Sequence, residues 1–237
     1  MNIIIIGATS GIGKALFEKY IKEGNRLGIV GRRMHLLDEL NHQHPSNTYT
    51  ATADITKQDE IEQAISSLRK EIGNIDLAIV CSGIGELNPS LDYNVERPTI
   101  DTNVTGWTFV VDTLYNIFEQ QGHGHLVAIT SVGGLRGEPM APAYSATKAY
   151  QINYTEALRK KAYKSGGKIT VTDVRPGLVD TAMAKGEGLF WVMPVEKVAR
   201  QIYIAIRNKK SKVYVTKRWH ILAIVCKNIP FFLYKRM

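Results

Sequence analysis

Asn2-Ile3-Ile4-Ile5-Ile6-Gly7-Ala8-Thr9-Ser10-Gly11-Ile12-Gly13 is the stretch on which the fold turns. Four consecutive isoleucines are apolar on both faces of an extended chain, as a strand covered on both sides requires. A loop of spacing G-x-x-x-G-x-G follows directly, and the residues after it open a helix. Glycine lets the backbone approach an anion closely, and the unpaired N–H groups of a helix start face that anion. Alone, such a loop is equally a tight turn that binds nothing. Between a first strand and a first helix it reads as a dinucleotide phosphate site.

The same alternation continues along the chain. Strands are expected at Asn2–Ile6, Arg26–Val30, Thr48–Ala53, Ile75–Cys81, His125–Thr130, Lys168–Val174 and Lys212–Val215. Helices are expected at Gly11–Glu23, Met34–His42, Lys57–Ile72, Arg97–Gln120, Ala143–Lys164 and Pro194–Arg207. Repeated β-α units predict a single α/β domain with a doubly wound parallel sheet of about seven strands. The 237 residues suffice for one such core, and 44% hydrophobic with 22% charged residues excludes a disordered or fibrous chain.

Charge is unevenly placed. The net charge is +8, yet Arg207, Lys209, Lys210, Lys212, Lys217, Arg218, Lys227, Lys235 and Arg236 crowd the last stretch, which holds no acidic residue. The rest carries one acidic residue more than basic ones. The high pI is therefore no nucleic-acid signature, and no nucleic-acid partner is expected. Two cysteines, Cys81 and Cys226, cannot build a disulfide framework and fit a reducing cytoplasm. The start lacks a basic segment before its short apolar run, and no run nears the roughly 20 residues of a spanning helix. The histidines show no metal-ligand spacing beyond His123-Gly124-His125, a turn before a strand, so no metal is expected.

The second strand ends Ile29-Val30-Gly31-Arg32-Arg33. A carboxylate there would bond the ribose 2′-hydroxyl of NAD. Two guanidinium groups match a 2′-phosphate instead, in charge and in fork geometry. The expected cofactor is NADP(H).

Tyr144 and Lys148 lie at i and i+4 near a helix start and share a face. A phenol of pKa near ~10 is a poor acid–base group at neutral pH. An ammonium about 4–5 Å away, at an effective dielectric of about 20, favours the phenolate by roughly 3–4 kcal/mol, or about 2–3 pKa units. Ser131 ends a strand, at the carboxyl end where ligands bind in an open α/β sheet, and its hydroxyl can hydrogen-bond a carbonyl or alkoxide oxygen. Asn103 is a polar residue inside a stretch that otherwise reads as buried helix.

These residues, in this order, resemble the short-chain dehydrogenase/reductases of the Tyr-x-x-x-Lys type. The resemblance runs from residue 2 to about 216 and includes Pro176-Gly177-Leu178-Val179-Asp180-Thr181, which is similar to the family's Pro-Gly-x-x-x-Thr segment. It implies a Rossmann-like fold over residues 1–216 and an alcohol/carbonyl oxidoreductase with a small-molecule substrate. It further implies Tyr144 as acid/base and Lys148 as its partner and ribose ligand, Ser131 on the substrate oxygen, and Asn103 holding a water of a proton relay. Gly7, Thr9, Ser10, Gly11, Ile12, Gly13, Arg32, Arg33, Asp54, Ile55, Gly83, Tyr144, Lys148, Pro176, Gly177, Val179 and Thr181 are the implied cofactor residues. Asp54 would meet the adenine, and Val179 and Thr181 the carboxamide. A homodimer or homotetramer through 97–120 and 143–164 is also implied. Two departures stand out: Val80-Cys81-Ser82-Gly83 replaces Asn-Asn-Ala-Gly, and Ile6 replaces a threonine. Cys81 reads as a small buried apolar residue rather than a reactive thiol.

Residues 182–193, Ala-Met-Ala-Lys-Gly-Glu-Gly-Leu-Phe-Trp-Val-Met, fall where the family covers its substrate. Their apolar end suits a lid over a hydrophobic substrate such as a lipid or steroid-like ketone, and equally a helix packed on the core. The basic, apolar segment 217–237 suits an element lying at an anionic membrane surface, and equally an arm on a partner subunit. A dinucleotide-sensing regulator and an epimerase or dehydratase on the same fold are the alternative functions.

Overall fold

The computed structural model describes residues 1–184 and 190–236. Seven parallel strands form one sheet in the order β3-β2-β1-β4-β5-β6-β7. They are β1 (Asn2–Ile6), β2 (Arg26–Gly31), β3 (Thr48–Thr52), β4 (Leu77–Val80), β5 (Gly124–Ile129), β6 (Ile169–Pro176) and β7 (Lys212–Val215). Helices α1 (Gly11–Ile21), α2 (Met34–Gln43) and α7 (Val195–Arg207) bury against one core of the sheet, and α3 (Gln58–Ile72), α5 (Trp107–Gln121) and α6 (Pro142–Lys164) against the other. The fold is the expected Rossmann-like, doubly wound α/β domain. Its strand order reverses between β1 and β4, the crevice where such sheets bind ligands.

The period of two along β1 builds both halves of the core. Ile4 and Ile6 pack towards α3 and α5, with Ile65, Leu68, Val110 and Leu114. Ile3 and Ile5 pack towards α1 and α7, with Leu16, Phe17, Val198 and Ile202. All four isoleucines are fully buried, each contributing about 2 kcal/mol of apolar burial.

Several expected bounds shift. β4 is shorter than Ile75–Cys81, and β6 continues past Val174 because Arg175 and Pro176 still pair with Tyr214 and Val215. The helix expected over 97–120 starts earlier, because Asp92 caps α4 (Tyr93–Ile100) by accepting the Asn94 N–H. It is then interrupted by a π-helical turn, Asp101–Gly106, before α5. A Cβ on Gly106 would come within 2.4 Å of the Ile55 carbonyl oxygen, so this turn lies against the loop after β3. Beyond β7 the chain forms α8 (Lys217–Asn228) and the single turn α9 (Phe231–Tyr234).

Candidate active site

The glycine loop hangs on β2. The Gly7 amide donates to the Val30 carbonyl at 2.8 Å, and Gly7 sits at φ +89°. A Cβ on Gly13 would lie 2.1 Å from the Gly7 oxygen, so only glycine lets α1 start this close to β1. The first-turn N–H groups of α1, at Gly11, Ile12 and Gly13, then face the crevice where an anion would bind. Arg33 reaches over the loop, its Nη2 donating to Thr9 Oγ1 (2.7 Å) and Ser10 Oγ (2.8 Å). Arg32 Nη1 lies 3.5 Å from Asp54 Oδ2 at the end of β3. Burial opposes ionisation of Asp54, but the Thr56 amide and hydroxyl, then the Arg32 guanidinium, hold its carboxyl below the ordinary value. Ile55 is buried beside it. Two cations therefore meet where the adenosine end of a dinucleotide would leave the sheet.

The expected catalytic residues gather at the carboxyl ends of β4 and β5. Ser131 follows β5, and its Oγ accepts the Gly133 N–H at 3.0 Å. Tyr144 stands in the first turn of α6, one turn before the buried Lys148. Lys148 Nζ lies 5.9 Å from the Tyr144 ring centre and donates to Gln151 Oε1 (2.8 Å) and the Ile129 carbonyl (3.3 Å). Burial lowers the Lys148 pKa to about 8, while Cys81 and Asp173 act to raise it. Burial pushes the Tyr144 phenol above its ordinary value, and the Ser131 hydroxyl pulls it back. The strong depression expected from a cation at 4–5 Å does not appear here. The physical reason is that burial of the phenol is the largest effect on it, and the ammonium stands 5.9 Å from the ring centre rather than about 4–5 Å from the hydroxyl. Cys81 faces the same ammonium, but burial drives its thiol up to about 12, so it stays protonated.

Asn103 sits in the π turn and is fully buried. Its side chain clasps Ile84, accepting that N–H at 2.9 Å and donating to that carbonyl at 2.7 Å, and also donates to Thr147 Oγ1. Its main-chain carbonyl accepts from Gln151 Nε2 at 2.9 Å.

The clasp draws the 83–85 loop across the site. A Cβ on Gly83 would stand 3.3 Å from both Asn103 Oδ1 and Lys148 Nζ, and one on Gly85 2.5 Å from the Tyr144 ring. Pro176 ends β6, Gly177 donates to the Val215 carbonyl, and Val179 bridges to Met193. The Thr181 methyl would meet a Cβ on Gly11 at 3.2 Å, so this segment closes over the glycine loop.

Other residues that shape the site carry no signal in their local sequence. Glu96 accepts the Ala143 N–H at 2.9 Å and the Asn88 side-chain N–H at 2.6 Å. Ala141, at the cap position of α6, offers no side-chain cap, so Glu96 supplies one from α4 immediately before Tyr144. Trp219 of α8 lies on Gly177, where a Cβ would approach its ring to 2.1 Å. Arg136, five residues after Ser131, donates to the Cys226 and Ile229 carbonyls, and Tyr234 donates to Gly137. The arm thus rests on its own chain, beside the Ser131 loop. Of the expected lid, residues 185–189 lie outside the described residues; Phe190 and Trp191 are about half exposed and contact Trp219.

The family model of the short chain dehydrogenases matches residues 1–189. An NADP-dependent 3-hydroxy acid dehydrogenase of Shigella flexneri is 31% identical over 182 residues, covering 76% of this chain and 73% of that protein. An uncharacterized oxidoreductase of Staphylococcus epidermidis is 31% identical over 185 residues, 77% of this chain and 80% of its own. Among solved structures, the closed form of a serine dehydrogenase complexed with NADP+ superposes with a TM-score of 0.80 at 26% identity, covering 90% of this chain and 92% of that one. A short chain dehydrogenase from Burkholderia cenocepacia, at 20% identity, shares the fold over 99% of this chain and 96% of its own, with a TM-score of 0.85. The family model spans the glycine loop and the whole Asn103–Ser131–Tyr144–Lys148 cluster, and the chain accordingly belongs to the short-chain dehydrogenase/reductase family of oxidoreductases.

Proposed function

We propose that this protein interconverts an alcohol and a ketone or aldehyde with NADP(H). The observation that carries the reading is the meeting of Tyr144, Lys148 and Ser131 at the mouth of the β1/β4 crevice, into which the glycine loop also opens. The residues fit the cofactor. The cradle at Gly7 and Gly13 admits a pyrophosphate against the start of α1, and Arg32 and Arg33 offer the donors a 2′-phosphate takes. The relative from Shigella flexneri is named for NADP and for a hydroxy acid, which supports both cofactor and reaction class.

NADP(H), when bound, supplies the hydride exchanged between its nicotinamide and the carbonyl carbon. Ser131 Oγ orients the substrate oxygen. Tyr144 gives the proton to that oxygen in reduction and takes it in oxidation. Lys148 keeps a positive charge beside the phenol and has a donor left for the cofactor ribose. Asn103 holds the 83–85 loop against the site. Tyr144→Phe tests the reading: NADPH-dependent carbonyl reduction should fall about 10²–10⁴-fold while NADPH affinity, followed by fluorescence, stays unchanged. Undiminished turnover would overturn it, and a non-catalytic dinucleotide sensor would show binding without turnover in the unmodified protein.

The substrate is hydrophobic in this reading. Leu87, Leu91, Met140, Met183, Phe190 and Trp191 are substantially exposed on the loops that follow β4, β5 and β6, around the reacting residues. The enzyme works in the cytoplasm as a homo-oligomer through α5 and α6. Its arm lies against an anionic membrane surface. Ile221, Ile224, Phe231 and Phe232 are more than half exposed among Arg218, Lys227, Lys235 and Arg236, with no acid nearby in sequence. A self-contact would set this cationic face against its own copy. Replacing those four apolar residues by serine should abolish flotation with phosphatidylglycerol vesicles and spare NADPH binding; equal flotation would refute the membrane contact.

A further inference from the structure

Gln151 follows Lys148 by one turn of α6 and is fully buried. It lies on the inward stripe of that helix, with Thr147, Lys148, Thr155 and Leu158. An amide there is costly unless both of its ends find partners. Both do. Gln151 Oε1 accepts from Lys148 Nζ at 2.8 Å, and Nε2 donates to the Asn103 main-chain carbonyl at 2.9 Å. These partners permit one orientation of the amide only, because an ammonium can only donate and a carbonyl only accept. The Asn103 carbonyl belongs to the π turn, whose widened backbone departs from the regular helical ladder. The same turn clasps the 83–85 loop through the Asn103 side chain.

We propose that Gln151 is a positioning residue for the reaction: it ties the Lys148 ammonium to the π-turn carbonyl of Asn103 and so fixes both the aim and the charge of the lysine beside Tyr144. The inference rests on the catalytic reading for its purpose and on the two hydrogen bonds for its geometry. Lys148 has three donors; Gln151 and the Ile129 carbonyl take two, leaving one. A neutral amide orients the ammonium without binding its charge as a carboxylate would. The titratable groups facing Lys148 are Cys81 after β4, Tyr144 on its own helix and Asp173 on β6. Asp173 is itself paired with Arg175 at 2.6 Å and accepts from Thr130 at 2.7 Å. The β5 end contributes Ser131, and the π turn contributes no titrating group to this contact. Gln151 is thus the nearest side-chain acceptor to the ammonium among the described residues, and its replacement acts on Lys148 first.

The test reads Lys148 directly. The full chain is labelled with ¹³Cε-lysine, the Lys148 resonance is identified by its loss in Lys148→Met, and its titration is followed by NMR. Gln151→Glu places an anion on the ammonium and should raise the midpoint by about one unit or more; Gln151→Met removes the acceptor and should lower it by a similar amount. Thermal unfolding and NADPH affinity verify that each variant is folded, and Gln151→Glu carries the test alone if Gln151→Met is not. The alkaline limb of kcat/KM should move with the midpoint in each variant, with kcat down about tenfold in Gln151→Met. A Lys148 midpoint identical in the parent and the folded variants would overturn the proposal. A shifted midpoint in a protein without reductase activity would leave the positioning standing and refute the catalytic reading instead.

Discussion

Arg33 illustrates how a single guanidinium chooses a cofactor. It already spans Thr9 and Ser10 on the glycine loop, so its charge is held over the loop at little further entropic cost. A 2′-phosphate adds a charge-assisted bond that NADH cannot offer. Arg33→Ala should weaken NADPH by about ten- to a hundredfold and leave NADH nearly unchanged, measured by fluorescence titration of both. Equal losses for the two nucleotides would mean that Arg33 supports the loop rather than reads the phosphate. Tyr144 and Lys148 were legible at this scale because i and i+4 share a helical face. Gln151 and Glu96 were not. Glu96 finds Ala143 47 residues away, and Gln151 finds the Asn103 carbonyl 48 away, separations at which local spacing carries no information.

At the scale of elements, short apolar runs placed central strands such as β1 and β4, since a strand covered on both faces has to be apolar throughout, whereas the edge strands β3 and β7 carry polar residues. The π turn stayed hidden. It sets Gly106 against Ile55 after β3, a contact far away in sequence, and the periodicity of 97–120 reads as one unbroken helix. The β5–β6 pair supplies a pH test. His125 on β5 meets Thr172 on β6, Nε2 to Oγ1 at 2.8 Å, and the Thr172 hydroxyl hydrogen is spent on the Lys210 carbonyl. The ring therefore donates through Nε2. Burial, then the Lys209 charge, lowers its pKa from 6.5 to about 4. Between these values the unfolded chain binds the extra proton. Folding stability should therefore be complete above about pH 6.5 and decline towards pH 4, by up to about 3 kcal/mol from this group. Urea denaturation at several pH values measures it; His125→Gln should lose that much less over the same range, and parallel curves would refute the assignment.

Across the whole molecule, the arm is joined to the domain at few points, and Trp219 is the largest. Its ring fills the space over Gly177 and touches Phe190 and Trp191. Trp219→Ala removes a side chain that is 7% exposed, a loss of about 3–5 kcal/mol where the surroundings do not collapse. Because the sheet and its two cores do not depend on α8, the cost should fall on arm docking. Hydrogen exchange in α8 should accelerate about a hundredfold or more while β1 and β4 remain protected. Uniform acceleration through the sheet would show instead that arm and domain unfold together.

The linear sequence determined the α/β class, the sheet, the phosphate loop, the paired arginines and the Tyr144–Lys148 spacing. Each depends on periodicity, on a local turn or on residue chemistry, all of which act over a few neighbouring positions. Only the tertiary structure decided that Lys148 is tied to Gln151, that Glu96 caps the helix bearing Tyr144, that a π turn carries Asn103, and that Trp219 brings the arm over Gly177. Those contacts join positions far apart in the chain. They exist because folding brings the ends of neighbouring parallel strands together and buries polar groups that must then find partners.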